Sequence, residues 1–476
     1  MNRILVIGAS GFLGRHLLAL RCQQETTGTF FAHGKQGLLF LDLKNRESIN
    51  RVVNTTKPDV VIYAAGLTDV DKCEIEKEHA RILNTEAIGY IASFPKLRVI
   101  YFSTDYVFNG ESEGNRETDD PKPINFYGES KLAGERVVLA RNPRNVVIRV
   151  SGLYDSHGSK RRPDVFEGNE SQMLNYDDMA FSNPVHIKDV VEAARKVISS
   201  ETSGIFHVGG PDVISRYEFQ QTLFLHAPGQ CPATATAGRN SGRALRPKNS
   251  SLFCHRLTSL GWSASSIAKA VRENMPEKKE QEKVSERTYG LLIDCVGGLL
   301  TNRTWLPRDE QLEKIDGECG HVINAAGFWA WAATVAGCQE DDIPHIQERI
   351  ARQYAPNPAI WNLLPGWRRH YRLALVNNGA SATFRRWVYK YGLDYVFEVL
   401  ANSEEMGIRK PCEAFFIAVA RQLGVSLQKC ILVDDNLENV EAARRCGMRA
   451  IQTCAMEQYP LSIHCWQPTK GEACLL

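Results

Sequence analysis

Tyr127 and Lys131 stand four residues apart, a short way beyond an apolar run that ends in Ser103-Thr104-Asp105. On a helix, positions i and i+4 share a face, so an ammonium can sit near a phenol and favour its ionised form. A free phenol titrates near pH ~10, so acid–base work at neutral pH needs such help, and Thr104 offers a second hydroxyl to grip a reacting carbonyl oxygen. The same spacing arises wherever a solvated lysine follows a half-buried ring. The pair gains chemical meaning only from the elements that position it.

Residues 3–7, Arg-Ile-Leu-Val-Ile, read as a buried parallel strand leading directly into Gly8-Ala-Ser-Gly11-Phe12-Leu13-Gly14 and an apolar helix. Glycines in that context permit a tight turn, close approach of backbone to a pyrophosphate, and close helix-to-strand packing, with phosphate at the helix N-terminus. Runs at 38–41, 60–63, 99–103 and 146–150 read as further strands, with helical stretches between them. The alternation predicts an α/β fold, a Rossmann-type doubly wound parallel sheet, which binds ligands beyond the carboxyl ends of its strands. Asp42, Ala64-Ala65-Gly66, Thr68 and Ser103-Thr104 all fall there.

With these residues in order, 1–275 resembles the extended short-chain dehydrogenase/reductases of the dTDP-4-dehydrorhamnose reductase type. The matching segments are Gly8-x-x-Gly11-x-x-Gly14, Asp42-Leu43, Lys57-Pro58-Asp59-Val60, Ala64 to Glu74, Ser103 to Gly110, and Tyr127 to Glu135. The resemblance implies that Thr104, Tyr127 and Lys131 are catalytic: hydride passes from a nicotinamide to a keto carbon while Tyr127 donates the proton. It implies a cofactor site of Gly8, Gly11, Phe12, Leu13, Gly14, Arg15, Asp42, Leu43, Ala64, Ala65, Gly66, Tyr127 and Lys131. The end of the second strand reads Phe30-Phe31-Ala32-His33-Gly34-Lys35, with no acid for a ribose 2′-hydroxyl, and Arg15 follows the last glycine. This favours NADP over NAD, although Arg15 and Lys35 read equally as solvated surface charge.

A substrate-binding part of the same family is visible in Arg149 to Tyr154, Asn183 to Val190, Gly204 to Gly210 and Arg246 to Ser250. Where the rhamnose-pathway reductases usually carry a tryptophan, this chain has Gly152, so their sugar-stacking surface is absent. The segments Asn183 to Val190 and Arg246 to Leu252 also resemble the regulatory beta subunit of methionine adenosyltransferase, which leaves a binding protein without turnover as an alternative. The stretch from Gly229 to Arg243, rich in Ala, Thr and Gly, reads as a loop over the substrate site.

Residues 276–288 form a mixed-charge run with a single valine, best read as a solvated linker. Beyond it, 289–476 reads as a second α/β domain. Tyr289 to Asp294 is an apolar strand ending in a carboxylate; Asn377-Asn378-Gly379, Arg409-Lys410-Pro411 and Asp434-Asp435-Asn436 follow other apolar runs or open helices. Together these resemble the haloacid dehalogenase superfamily, with a helical cap at about 305–370. The resemblance implies Asp294 as nucleophile, Asp434 and Asp435 with Asp294 as ligands of Mg²⁺, Lys410 as charge neutraliser, and Asn377, Asn378 and Lys410 as phosphate-binding groups. Two departures weaken it: Val296 replaces the acid that protonates the leaving group, and Gly298 replaces the usual threonine. A slowed phosphatase, other chemistry such as dehalogenation, and phosphate binding without turnover therefore all stay open.

At 476 residues the chain exceeds what one core usually supports. A net charge of +2 with both signs interspersed argues for neither nucleic acid nor membrane partners. The first strand begins at residue 3, leaving no room before it for a signal peptide, and thirteen scattered cysteines without paired metal spacing read as reduced thiols, so a cytoplasmic location is expected. The expectation is a reductase acting on a keto group of a nucleotide-linked sugar or related phosphorylated metabolite, fused to a degenerate phosphatase-like domain. The alternatives are a nucleotide-binding regulatory protein without turnover and a Mg²⁺-dependent hydrolase whose reductase half is scaffold; a homodimer stays open under each.

Overall fold

The computed structural model describes residues 3–18, 20, 25–32, 34, 36–112, 114–155, 158–159, 174–177, 179–227, 232–236, 244–274, 287–303, 309–319 and 325–453. Lys35, most of the charged run at 276–288 and the stretch beyond 453 lie outside the described residues. Contacts divide the chain into two compact units: Met1–Phe219 with Ala235–Asn274, and Gln220–Thr234 with Met275–Leu476.

The first unit is built on seven strands: β1 (Ile4–Ile7), β2 (Thr26–Phe30), β3 (Leu38–Phe40), β4 (Val60–Tyr63), β5 (Arg98–Thr104), β6 (Val146–Val150) and β7 (Gly204–Val208). Their order is β7-β6-β5-β4-β1-β2-β3, and every pairing is parallel. Because side chains alternate across a strand, Ile4 and Val6 enter one apolar cluster while Leu5 and Ile7 enter another on the opposite face. Helix Ile187–Ser199 covers the first face through Val190, Ala194 and Val197; helix Arg46–Thr56 covers the second through Ile49, Val52 and Val53. A sheet buried on both faces reads as continuous apolar runs, which is why its strands are visible in the sequence. The expected loop at 229–243 carries a short strand, Ala233–Thr236, paired with Leu174–Asp177.

The second unit repeats the principle with five parallel strands: β8 (Tyr289–Asp294), β9 (Tyr371–Asn377), β10 (Val399–Asn402), β11 (Cys430–Asp434) and β12 (Arg449–Gln452), in the order β10-β9-β8-β11-β12. The cap is helical as expected, with helices Glu310–Cys319, Ala325–Ala336 and Ile343–Arg352 gathered on a core of Leu312, Ile315, Trp329, Ala333, Ile346 and Ile350. The sequence did not suggest the antiparallel ribbon that roots it, Leu300–Asn302 against Tyr354–Pro356.

Candidate active sites

At the end of β1, Gly8 adopts φ +83°, and a Cβ there would come within 2.9 Å of the Ala65 nitrogen. A Cβ on Gly14 would fall 2.1 Å from the Gly8 carbonyl oxygen, so the following helix can approach the loop only without a side chain. The Gly11 N–H donates to the Gly8 carbonyl at 3.0 Å, closing the turn. The cradle is thus backbone on every side that matters, and its residues fit a dinucleotide pyrophosphate. Ala64, Ala65 and Gly66 follow β4 beside it, and Asp42 follows β3, where its carboxylate accepts from the Lys44 N–H at 2.9 Å.

Thr104 ends β5 and Tyr127 lies in the first turn of helix Phe126–Arg141, which Asn125 caps by accepting from the Gly128 N–H. The Thr104 hydroxyl lies near the Tyr127 phenol and donates to Asp105 at 3.0 Å. Burial raises the Tyr127 phenol above its ordinary range; nearby Thr104 opposes this, while Asp105, Cys73 and Tyr106 add to it. Lys131 is directed at β5. Its ammonium donates to the Phe102 carbonyl at 2.5 Å and lies 4.1 Å from the centre of the Tyr101 ring, and burial brings its pKa down to about 7. Desolvation thus favours the protonated phenol.

Sequence reasoning missed Asn84, which is fully buried on a π-helical turn, Ile82–Glu86. Its amide oxygen accepts from the Leu67 N–H at 3.1 Å, and its amide nitrogen donates to the Leu67 carbonyl and, at 2.9 Å, to the Ser130 hydroxyl. One side chain thus ties the Gly66 loop to the helix bearing Tyr127 and Lys131. A π-turn is the only local signal, and π-turns gather at functional sites. Beneath Thr104, Ser103 donates to Glu135, and Glu135 pairs with Arg149 at 2.7 Å, both almost wholly buried. Asp105, accepting from Ser250 at 2.6 Å, is pushed up to about 6 by burial.

Arg15 follows Gly14 on the helix after the cradle. Its half-exposed guanidinium faces Asp155 at 3.5 Å and lies 5.1 Å over the Phe12 ring. Gly152 is exposed, and a Cβ there would meet only Pro184, at 3.8 Å, so the space a larger side chain would take is open.

In the second unit, β8 pairs with both β9 and β11, and its end is the point where strand order reverses. Asp294 and Asp434 occupy the two strand ends there, and Lys410 bridges them, with Nζ 2.5 Å from Asp294 and 2.6 Å from Asp434. Although burial opposes it, these carboxylates hold the lysine charged above its ordinary range; burial also raises Asp294 above the carboxylate range, and Lys410 works against that rise. Carboxylate oxygens of Asp294, Asp434 and Asp435 lie within 4.8 Å of one another, a hard-oxygen donor set that fits Mg²⁺. Asn378 is tied to Lys410 by bonds of 3.0 and 2.9 Å to its N–H and carbonyl, so the segments Asn377-Asn378-Gly379 and Arg409-Lys410-Pro411 meet. Asn377 ends β9 and lines a cavity of about 100 Å³ together with Asn378 and Val296. Gly298 cannot be restored to threonine without movement, since a Cβ would lie 2.4 Å from the Asp294 carbonyl oxygen.

Among the described residues, no helix is long and apolar enough to cross a membrane. A curated relative from Aggregatibacter actinomycetemcomitans, dTDP-4-dehydrorhamnose reductase, is 30% identical over 244 residues, 48% of this chain and 81% of the relative. Methionine adenosyltransferase 2 subunit beta from Mus musculus is 29% identical over 285 residues, 55% of this chain and 83% of the relative. The solved structure of dTDP-4-dehydrorhamnose reductase from Bacillus anthracis in complex with NADP is 26% identical, with a TM-score of 0.52, covering 57% of this chain and 98% of that one. Residues 302–447 match the family described as haloacid dehalogenase-like hydrolase, a match that begins after Asp294, which the sheet nonetheless brings to Lys410 and Asp434. With residues 1–279 matching its family model, the chain belongs to the RmlD substrate binding domain family and carries a haloacid dehalogenase-like hydrolase unit behind it.

Proposed function

We propose that the first unit is an NADPH-dependent reductase of a keto group on a nucleotide-linked sugar or related metabolite, and that the second is a hydrolase-type unit for a phosphorylated small molecule. The observation that carries the first assignment is Tyr127 beside Thr104 at the end of β5, on the sheet that also holds the Gly8–Gly14 cradle. The reduced nicotinamide cofactor supplies the hydride. Tyr127 gives its phenolic proton to the carbonyl oxygen as that oxygen gains charge, and Thr104 holds the same oxygen in line. Asn84 keeps the helix carrying Tyr127 fixed to the Gly66 loop, so the donor cannot drift from the cofactor groove. In the second unit, Asp294, Asp434 and Asp435 would hold Mg²⁺, which neutralises phosphoryl charge, and Asn377 and Lys410 would grip the phosphoryl oxygens.

The relatedness to a methionine adenosyltransferase subunit and the open space at Gly152 favour one other reading, a dinucleotide-binding regulatory protein. The two separate in one experiment: purified protein, NADPH and a panel of keto nucleotide sugars, followed by loss of NADPH absorbance. Turnover that Tyr127→Phe abolishes supports the reductase. Equal inactivity of both proteins with NADPH binding retained supports the regulatory reading.

A further inference from the structure

Val296 has no proton to give, yet the cavity it lines is closed on another side by groups that do. Along with Asn377 and Val296 its wall includes Asp316, Cys319, Tyr354 and Thr383. Asp316 comes from the cap helix Glu310–Cys319, and the Tyr354 hydroxyl donates to its carboxylate. Tyr354 is not loosely placed. It pairs with Asn302 in the ribbon that runs straight on from the Asp294 loop, and Asn357 locks the ribbon's far end by donating to the Gly298 and Leu299 carbonyls at 2.9 Å each. The buried Thr383 hydroxyl has no oxygen or nitrogen partner among the described residues, and the Cys319 thiol is the polar group beside it. Val296, two residues after Asp294, and Asn377, at the end of the neighbouring strand β9, put the cavity next to the Asp294 strand end.

We propose that Asp316 is the acid–base residue of the second unit, carrying out from the cap the proton transfer that Val296 cannot, on a phosphate monoester of a small aliphatic alcohol. The proposal rests on the phosphoryl-transfer reading above. In the first step Asp294 attacks phosphorus, the bond from phosphorus to the alcohol oxygen breaks, and that oxygen takes the Asp316 proton; the Tyr354 hydroxyl stabilises the resulting carboxylate. In the second step Asp316 takes a proton from a water as the water attacks phosphorus, the aspartyl-phosphate bond breaks, and inorganic phosphate leaves with Asp294 restored. Thr383 offers a hydrogen bond to the alcohol. Burial lifts Asp316 to about 6, and the Tyr354 bond restrains the rise. The titratable groups around it, Tyr354, Cys319 and Cys295, are pushed up by burial and stay uncharged at neutral pH; the Glu404 charge acts on Cys319. Asp316 thus changes protonation state near neutrality while its neighbours do not.

The test uses the full chain with Mg²⁺ and two esters: nitrophenyl phosphate, whose leaving group departs without a proton, and glycerol phosphate, whose alkoxide needs one. Asp316→Asn is expected to lower phosphate release from glycerol phosphate by about 10²- to 10⁴-fold while keeping a nitrophenol burst, which also shows that the variant is folded. Tyr354→Phe removes the bond that restrains the Asp316 pKa, so the high-pH fall of glycerol phosphate turnover is expected to move to higher pH. Loss of the nitrophenol burst along with glycerol phosphate turnover in a variant whose circular dichroism matches wild type, or no loss on either ester, overturns the assignment of Asp316. Turnover retained by Asp294→Asn, or wild-type protein that releases phosphate from neither ester, overturns the phosphoryl-transfer reading and the role of Asp316 with it.

Discussion

Burial sets the protonation of the key side chains before any ligand arrives. Tyr127 keeps its proton, which suits a donor in the reducing direction, and Tyr127→Phe is expected to slow carbonyl reduction by about 10²- to 10⁴-fold with NADPH binding, followed by cofactor fluorescence, retained. Lys131 has a sharper signature. Its pKa falls from 10.5 to about 7 on folding, so between those values the unfolded chain holds a proton that the native protein has released, and stability rises with pH across that window. Denaturant unfolding at pH 7 and pH 9 is expected to show wild type gaining roughly 2 kcal/mol relative to Lys131→Met, since one pH unit is worth at most ~1.36 kcal/mol. A gap that does not change with pH would mean that the lysine stays charged when folded. Tyr127, Lys131 and Thr104 were legible in the sequence because strand, loop and helix periodicity place them. The direction in which Lys131 points was not, since the Phe102 carbonyl and the Tyr101 ring that draw it lie on a separate strand, β5, which only the packing of helix on sheet brings to it.

At the scale of elements, the Gly8–Gly14 turn is the most constrained piece of the first unit. Its requirement is local, a positive φ and two close backbone approaches, so the glycine pattern announces it directly. Gly14→Ala forces a Cβ against the Gly8 carbonyl, and overpacking of that kind costs about 1–3 kcal/mol. If the strain falls on the cofactor cradle, NADPH binding weakens roughly 10- to 100-fold, which titration calorimetry would detect; unchanged affinity would show that the loop relaxes away from the cofactor. Asn84 is the contrary case. Its role depends on Leu67 and Ser130 arriving from other elements, and no spacing in the chain signals that meeting. Asp316 is hidden for a similar reason, as one polar position on an amphipathic cap helix until the ribbon brings Tyr354 against it.

Across the whole molecule, two sheets carry separate apolar cores, one around β1 and the other around β8. Separate cores predict two unfolding transitions in scanning calorimetry, with NADPH raising the first unit's transition and Mg²⁺ that of the second, by about 2.7 kcal/mol at a hundred times the dissociation constant. A single transition raised by both ligands would show that the units unfold together. The sequence by itself determined the two α/β sheets, the dinucleotide cradle and the order of the acidic segments. Buried parallel strands must be apolar throughout, and their ligand-binding ends must carry the glycines and polar groups that follow them. Tertiary structure alone decided where the charges act: Arg15 against Asp155, Lys131 against Phe102, Lys410 between Asp294 and Asp434, and Asp316 at the cavity beside Val296. The reason is physical. Composition along the chain specifies burial and periodicity, whereas an ionisable group takes its state from neighbours that only the folded sheet and cap bring to it.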